Sequence, residues 1–239
     1  MPLPKIATPT YELELPSSGK TVQYRPFLVK EEKLLVIALE SEDTKQITTA
    51  IKTVIKACIK TRGVKVEALP TFDIEYLFLN IRGKSVGEDL DVNIICPDDK
   101  VTEVKVNINL DDIKCHKNPD HTNKIQLDSN LIMEMKYPSL DEFIKSNFDM
   151  QEQNQMEQSF DLIAQCIDKI YNEEEVWATE DCTKKEMSEF LESMNSSQFK
   201  EIEKFFETMP KLSHKIKVTN PNTQVESEVV LEGLASFFA

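Results

Sequence analysis

Pro70-Thr71-Phe72-Asp73-Ile74-Glu75-Tyr76-Leu77-Phe78-Leu79-Asn80-Ile81-Arg82-Gly83 and, a few residues on, Glu88-Asp89-Leu90-Asp91-Val92-Asn93-Ile94-Ile95-Cys96 form the stretch on which the fold turns. In the first part Ile74, Leu77, Phe78 and Ile81 recur at intervals of three or four, which sets them along one stripe of a helix. In the second, Val92, Ile94 and Cys96 alternate, which sets them on one face of a strand. A switch of hydrophobic period within one chain segment predicts an α+β fold. Thr71 is a fair helix start, and Gly83 is expected to stop the run.

Upstream, Tyr11, Leu13 and Leu15 alternate with glutamates, Pro16-Ser17-Ser18-Gly19 supplies a turn, and Val22, Tyr24 and Phe27 return, so a β-hairpin is expected over Thr10 to Val29. Leu34, Leu35, Ala38 and Leu39 then mark a first helix, and Ile47, Ile51, Val54, Ile55 and Cys58 a second. Downstream, Val104, Val106, Ile108 and Leu110, then Ile125 and Leu127, then Leu131, Met133 and Met135 keep the period of two, predicting a small antiparallel sheet. After Pro138 the helical period returns. Leu140, Phe143 and Ile144 predict a short helix, and Phe160, Ile163, Ala164, Ile167, Ile170 and Tyr171 predict another. Thr183 with Glu186 forms a capping box, Asn195-Ser196-Ser197 restarts a helix that ends at Met209-Pro210, and two strands joined across Asn220-Pro221-Asn222-Thr223 close the chain. The expected division is residues 1–87 (hairpin plus helical bundle), 88–138 (small antiparallel β domain) and 139–239 (acidic helical domain with a C-terminal hairpin).

Composition narrows the function. The 239 residues carry a formal charge of −14, which argues against nucleic acid as a partner, because affinity for phosphate rests on Lys and Arg. Most of that charge sits in one place. Between Asp141 and Met209 there are 6 basic and 18 acidic residues, whereas the first ninety residues hold 13 basic and 12 acidic. Such a surface is either a solvated face or a dock for a basic partner. No run reaches the ~20 apolar residues of a membrane span, and the opening residues lack the apolar core of a signal peptide, so a cytoplasmic protein is expected. Five scattered cysteines fit reduced thiols better than a disulfide framework.

Chemistry-bearing motifs are absent: there is no phosphate-binding glycine loop, nucleophile elbow, paired-histidine helix or dinucleotide fingerprint. Cys96, Cys115, His116 and His121 supply enough donors for a tetrahedral zinc, but their spacing lacks the ligand pairs of a structural site. Isolated sheet cysteines and exposed loop histidines are the alternative. No cofactor and no small-molecule substrate is expected. A zinc-stabilised cytosolic adaptor is the rival function, and a hydrolase built on His116 or His121 stands behind it.

Several blocks carry a further signal. Thr8-Pro9-Thr10-Tyr11-Glu12-Leu13, Tyr24-Arg25-Pro26-Phe27-Leu28-Val29-Lys30-Glu31-Glu32-Lys33-Leu34-Leu35, Leu69-Pro70-Thr71-Phe72-Asp73-Ile74-Glu75-Tyr76-Leu77-Phe78-Leu79 and Arg82-Gly83-Lys84-Ser85-Val86-Gly87-Glu88, with the ending Leu231, Gly233, Leu234 and Phe237-Phe238, resemble the T4-type bacteriophage baseplate protein family. The resemblance implies a hub subunit or hub assembly factor of a contractile tail, without covalent catalysis, at work in the host cytoplasm among other baseplate hub and tail proteins. Its surfaces of contact would be the Arg25-Pro26-Phe27 corner, the acidic helical region with Glu173, Glu174 and Glu175, and an apolar C-terminal anchor of Leu234, Phe237 and Phe238. Arg25 has a second reading, a local salt bridge with Glu31 or Glu32. The phenylalanines have one too, as core packing.

Overall fold

The computed structural model describes residues 6–41, 43–140 and 155–232. The fold is α+β, with short helices and small antiparallel sheets, as the change of period predicts. The chain groups into two compact units. One takes the chain up to Val66, Phe72–His116 and the chain from Pro210; the other takes Glu67–Thr71 and Lys117–Met209.

In the first unit β1 (Tyr11–Glu14) and β2 (Thr21–Tyr24) form the expected hairpin, with Leu13 opposite Val22. Gly19 closes the turn at φ +68°, a left-handed conformation that costs glycine little. The turn is tied down from below. The fully buried Asp73 accepts the Ser17 N–H at 3.0 Å and also takes the Ser17 hydroxyl. Helices α1 (Val29–Glu40), α2 (Thr44–Cys58) and α3 (Thr71–Val86) follow. Asp43 caps α2 by accepting the N–H groups of Lys45 and Gln46, and Ile51, Val54, Ile55 and Cys58 are buried along the predicted stripe.

Gly83 does not stop α3. The helix passes through it to Val86, because Gly83 is buried against Leu110 and Glu88, and the break comes at Gly87, whose φ of +125° few other residues adopt. Strands β3 (Asp89–Ile95) and β4 (Glu103–Asn109) pair as a hairpin, and β5 (Lys114–His116) joins a different sheet. There it pairs with β10 (Lys211–Thr219), which pairs in turn with β11 (Glu226–Glu232). The C-terminal hairpin thus belongs with β5, about a hundred residues earlier, and not with the helices that precede it. Leu79, Val92, Ile94, Ile108, Leu212 and Val218 are the centre of the core that results.

The second unit is built on the sheet β6 (Lys124–Gln126), β7 (Ile132–Met135), β8 (Ile167–Tyr171) and β9 (Val176–Ala178), in that order and antiparallel throughout. Helix α4 (Gln155–Gln165) carries Phe160, Ile163 and Ala164, but the predicted helix ends there. Ile167, Ile170 and Tyr171 lie on β8 instead, where Ile170 pairs with Met133 and Trp177. The three-residue interval between Ile167 and Ile170 reads as helical, yet both are buried on the strand because a bulge at Glu134/Met135 shifts the register between them. Helices α5 (Lys184–Glu192) and α6 (Ser196–Thr208) are the predicted helical hairpin, each opened by a capping box, at Thr183 with Glu186 and at Asn195 with Gln198. Met133, Met135, Ile167, Leu191, Ile202 and Phe205 fill the core beneath. The helix expected around Phe143 and Ile144 lies outside the described residues.

Candidate protein-binding surface

Helix α1 follows the extended N-cap residue Leu28, which the chain reaches from β2 through Arg25-Pro26-Phe27. The Arg25 side chain is spent within the unit. Its Nη2 donates to Glu31 Oε1 at 3.1 Å and to the Ala57 carbonyl at 3.0 Å, and its Nη1 donates to the Pro26 carbonyl at 2.9 Å. Glu31 is only 5% exposed and also accepts the Leu28 N–H at 2.6 Å, so its carboxylate satisfies a backbone donor at the start of α1. The hydrogen bond to Glu31 raises the Arg25 pKa. Burial pushes the Glu31 carboxyl up, but the bonds from Arg25 and Leu28 outweigh it and hold the group below its ordinary range. Burial pushes the neighbouring Cys58 thiol up to about 11, so it is an inert core group rather than a nucleophile. Phe27 is half-buried, and its N–H donates to Ser85 Oγ at 2.9 Å.

That clasp fixes which side of α1 faces inward. Glu31 and Ala38 are buried and Leu35 is half-buried, one stripe of the helix packed towards α2. The rest is unusual. Val29 is 78% exposed, Ile37 53%, Val36 47% and Leu39 46%, with Leu34 also exposed. Leu28 precedes them, and Val86 at the end of α3, next to Ser85, is exposed as well. A helix that is apolar all round is normally a buried helix, and scattered single apolar residues do not make such a surface. The signal is in the sequence: Leu34-Leu35-Val36-Ile37-Ala38-Leu39 is unbroken by any polar residue, so no solvent face can be drawn for it. Only Leu34, Leu35, Ala38 and Leu39 are needed to predict the helix, and the surplus marks the surface.

The other sequence candidates are distributed differently. Glu173, Glu174 and Glu175 are exposed, but in the turn between β8 and β9 rather than on a helix; the Asn172 side chain accepts the N–H groups of Glu174 and Glu175 at 2.8 and 2.7 Å and holds the turn. Leu234, Phe237 and Phe238 lie outside the described residues. Cys96 is buried in the core of the first unit, and on β5 the half-buried Cys115 packs against that core while His116 is exposed. His121 belongs to the second unit, where Nδ1 lies 2.9 Å from Thr208 Oγ1 and Nε2 3.0 Å from Tyr137 Oη. Burial lowers its pKa, and the ring stacks on Tyr137 and lies beside Phe205. Among the described residues no group of three or more His, Cys, Asp or Glu side chains is placed to hold a metal ion. A cleft of about 390 Å³ opens beside Phe205 and Thr208, lined by Lys124, Lys204, Asp120 and Glu201, with His121 not among its lining residues. Its charges are mixed. No helix of the described residues is long and apolar enough to cross a membrane.

What the first unit offers is therefore an apolar helix laid open to contact. Over residues 8–239 it matches the family model described as T4 bacteriophage base plate protein. The chain belongs to that family, and it is a phage baseplate protein. Neither the curated proteins nor the solved structures contain a match.

Proposed function

We propose that this chain is a baseplate hub subunit, or the factor that helps assemble the hub, of a T4-like contractile tail, and that it works through protein–protein contacts and not catalysis. The observation that carries the proposal is α1, whose apolar residues face solvent on every side but one. Surfaces of that kind mark sites of association. Membership of a baseplate family supplies the context, since baseplate proteins function inside an assembly. The acidic turn Glu173–Glu175 supports a second contact, with a basic partner, and Leu234, Phe237 and Phe238 are proposed as a terminal anchor. Assembly takes place in the host cytoplasm on this reading, with other hub and tail proteins as the partners.

The test is to tag the protein in phage-producing cells and to quantify by mass spectrometry both its co-purifying partners and its presence in purified particles. Hub partners with retention in particles make it a subunit, and the same partners with its absence from particles make it an assembly factor. Tail proteins missing from the partners would overturn the reading. Deleting Leu234 to Ala239 is expected to lower particle yield, and a normal yield would remove the anchor.

A further inference from the structure

We infer that α1 is a self-association element: two copies of the chain pair through their α1 helices, antiparallel across a two-fold axis. The inference rests on α1 being a contact surface and names what covers it. With Glu31, Leu35 and Ala38 turned inward, the stripe on the opposite side of the helix is Val29, Lys33, Val36 and Glu40, flanked by Ile37. These residues follow one another at intervals of four, three and four, the spacing of a seam that lies along a second helix. Lys33 and Glu40 stand seven residues apart on that seam with opposite charge. Neither has an ion pair or hydrogen bond among the described residues, although lysines at 84, 105, 169, 215 and 217 all have one.

A closed two-fold contact must be self-complementary, so residue i meets j and j meets i. Laying α1 antiparallel on a second α1 about a point between Val36 and Ile37 does this. Lys33 of each copy then faces Glu40 of the other, and Val36 faces Ile37, so an apolar centre is bracketed by two symmetric ion pairs. A parallel arrangement sets Lys33 against Lys33 and Glu40 against Glu40, which like-charge repulsion disfavours. The two helices overlap over Lys33 to Glu40, about 12 Å of α1. The contact is smaller than a standard interface of roughly 800 Å² per partner, so the dimer is expected to be reversible and concentration-dependent.

Sedimentation equilibrium of the full chain over a wide concentration range, at low salt, tests this. A monomer–dimer equilibrium is expected, with Val36→Asp monomeric throughout. Lys33→Glu is expected to raise the dimer Kd about tenfold or more, and Lys33→Glu with Glu40→Lys to restore it. The charge variants alter only exposed side chains and so keep the test independent of folding. A wild-type chain that stays monomeric, a dimer indifferent to Val36→Asp, or a double variant no better than the single would overturn the pairing. Binding of the same variants to co-purified hub proteins separates the two proposals. Hub binding lost in Val36→Asp while the wild type is monomeric overturns self-association and leaves the hub reading standing. A dimer that behaves as expected in a chain without tail partners does the reverse.

Discussion

Arg25 shows how much one side chain can organise. It joins the end of β2 to the start of α1 through Glu31 and to the end of α2 through the Ala57 carbonyl. Removing it leaves the buried Glu31 with the Leu28 N–H and the exposed Lys30 as its remaining partners. Arg25→Ala is expected to cost about 3 kcal/mol in a denaturant titration at pH 7, because the Glu31 carboxylate then stays in the interior without its main counter-ion. The pH dependence has a definite sign. Glu31 has a lowered folded pKa, so its contribution is fully present above the unfolded carboxyl pKa of about 4.3 and is lost as pH falls through the folded value. The gap between wild type and Arg25→Ala should therefore narrow in acid, and a gap that widened below pH 4 would contradict the assignment. His121 makes a separate case. Thr208 Oγ1 donates to the Lys204 carbonyl at 2.6 Å, so it can only accept from Nδ1, and Nε2 is left to accept from the Tyr137 hydroxyl. A neutral Nδ1–H imidazole is expected in nitrogen-detected NMR at pH 7, with protonation beginning only below the ordinary histidine range. An Nε2–H signal would refute the arrangement.

At the scale of elements, α3 and its two glycines make the clearest prediction. Gly83 lies inside the helix, and a methyl group there would meet Leu110 at 3.5 Å, an ordinary contact. Gly83→Ala is expected to be neutral or to stabilise by roughly 0.5–1 kcal/mol, since glycine inside a helix is the costlier residue. Gly87 has open space around it but a φ of +125°, so Gly87→Ala is expected to destabilise by about 1–3 kcal/mol. Thermal unfolding of the two variants decides between helix stop and helix interior, and opposite effects would restore Gly83 as the stop. The hairpin turns show a related economy. Asn220 is buried between Asp98 and Asp99, its Nδ2 donating to both at 2.9–3.0 Å, while its side-chain Oδ1 accepts the Asn222 N–H at 2.8 Å. One amide thereby helps lock the β10–β11 turn onto the β3–β4 turn; hydrogen bonds, first from the Thr223 hydroxyl to Asp98 and from Thr102 to Asp99 and then from Asn220 to both, lower the pKa of both aspartates. Asp–Asp and Asn–Pro both read as turn formers in the sequence, but nothing in either hairpin announces the other.

On the scale of the whole molecule, charge and apolar surface are segregated. Lys117 to Met209 holds 9 basic and 21 acidic residues, nearly all of the net charge, whereas the exposed apolar helix belongs to the other unit. Replacing Glu173, Glu174 and Glu175 by lysines is expected to weaken a basic hub partner about tenfold or more at low salt, with the difference shrinking as salt rises. The turn's geometry depends on Asn172 and backbone N–H groups, so the fold should survive the change. Unchanged affinity in a titration would remove this surface from the proposal.

Much of this was legible in the residues themselves. Helix stripes, the capping box at Thr183, the helix restart at Asn195, the β1–β2 and β10–β11 hairpins and the α+β class all depend on neighbours within a few positions, and local periodicity and local hydrogen bonds decide them. The family could be read from short blocks for the same reason. Tertiary structure alone decided that β5 joins β10, that Ile167 and Ile170 sit on a strand, that Gly83 lies inside its helix and that Arg25 turns inward. It also decided that α1 buries Glu31 and Ala38, half-buries Leu35 and leaves its other apolar residues in solvent. Each of these depends on which distant segment arrives to pair with or cover a given face, and a sequence specifies that partner only through the packing of the whole chain.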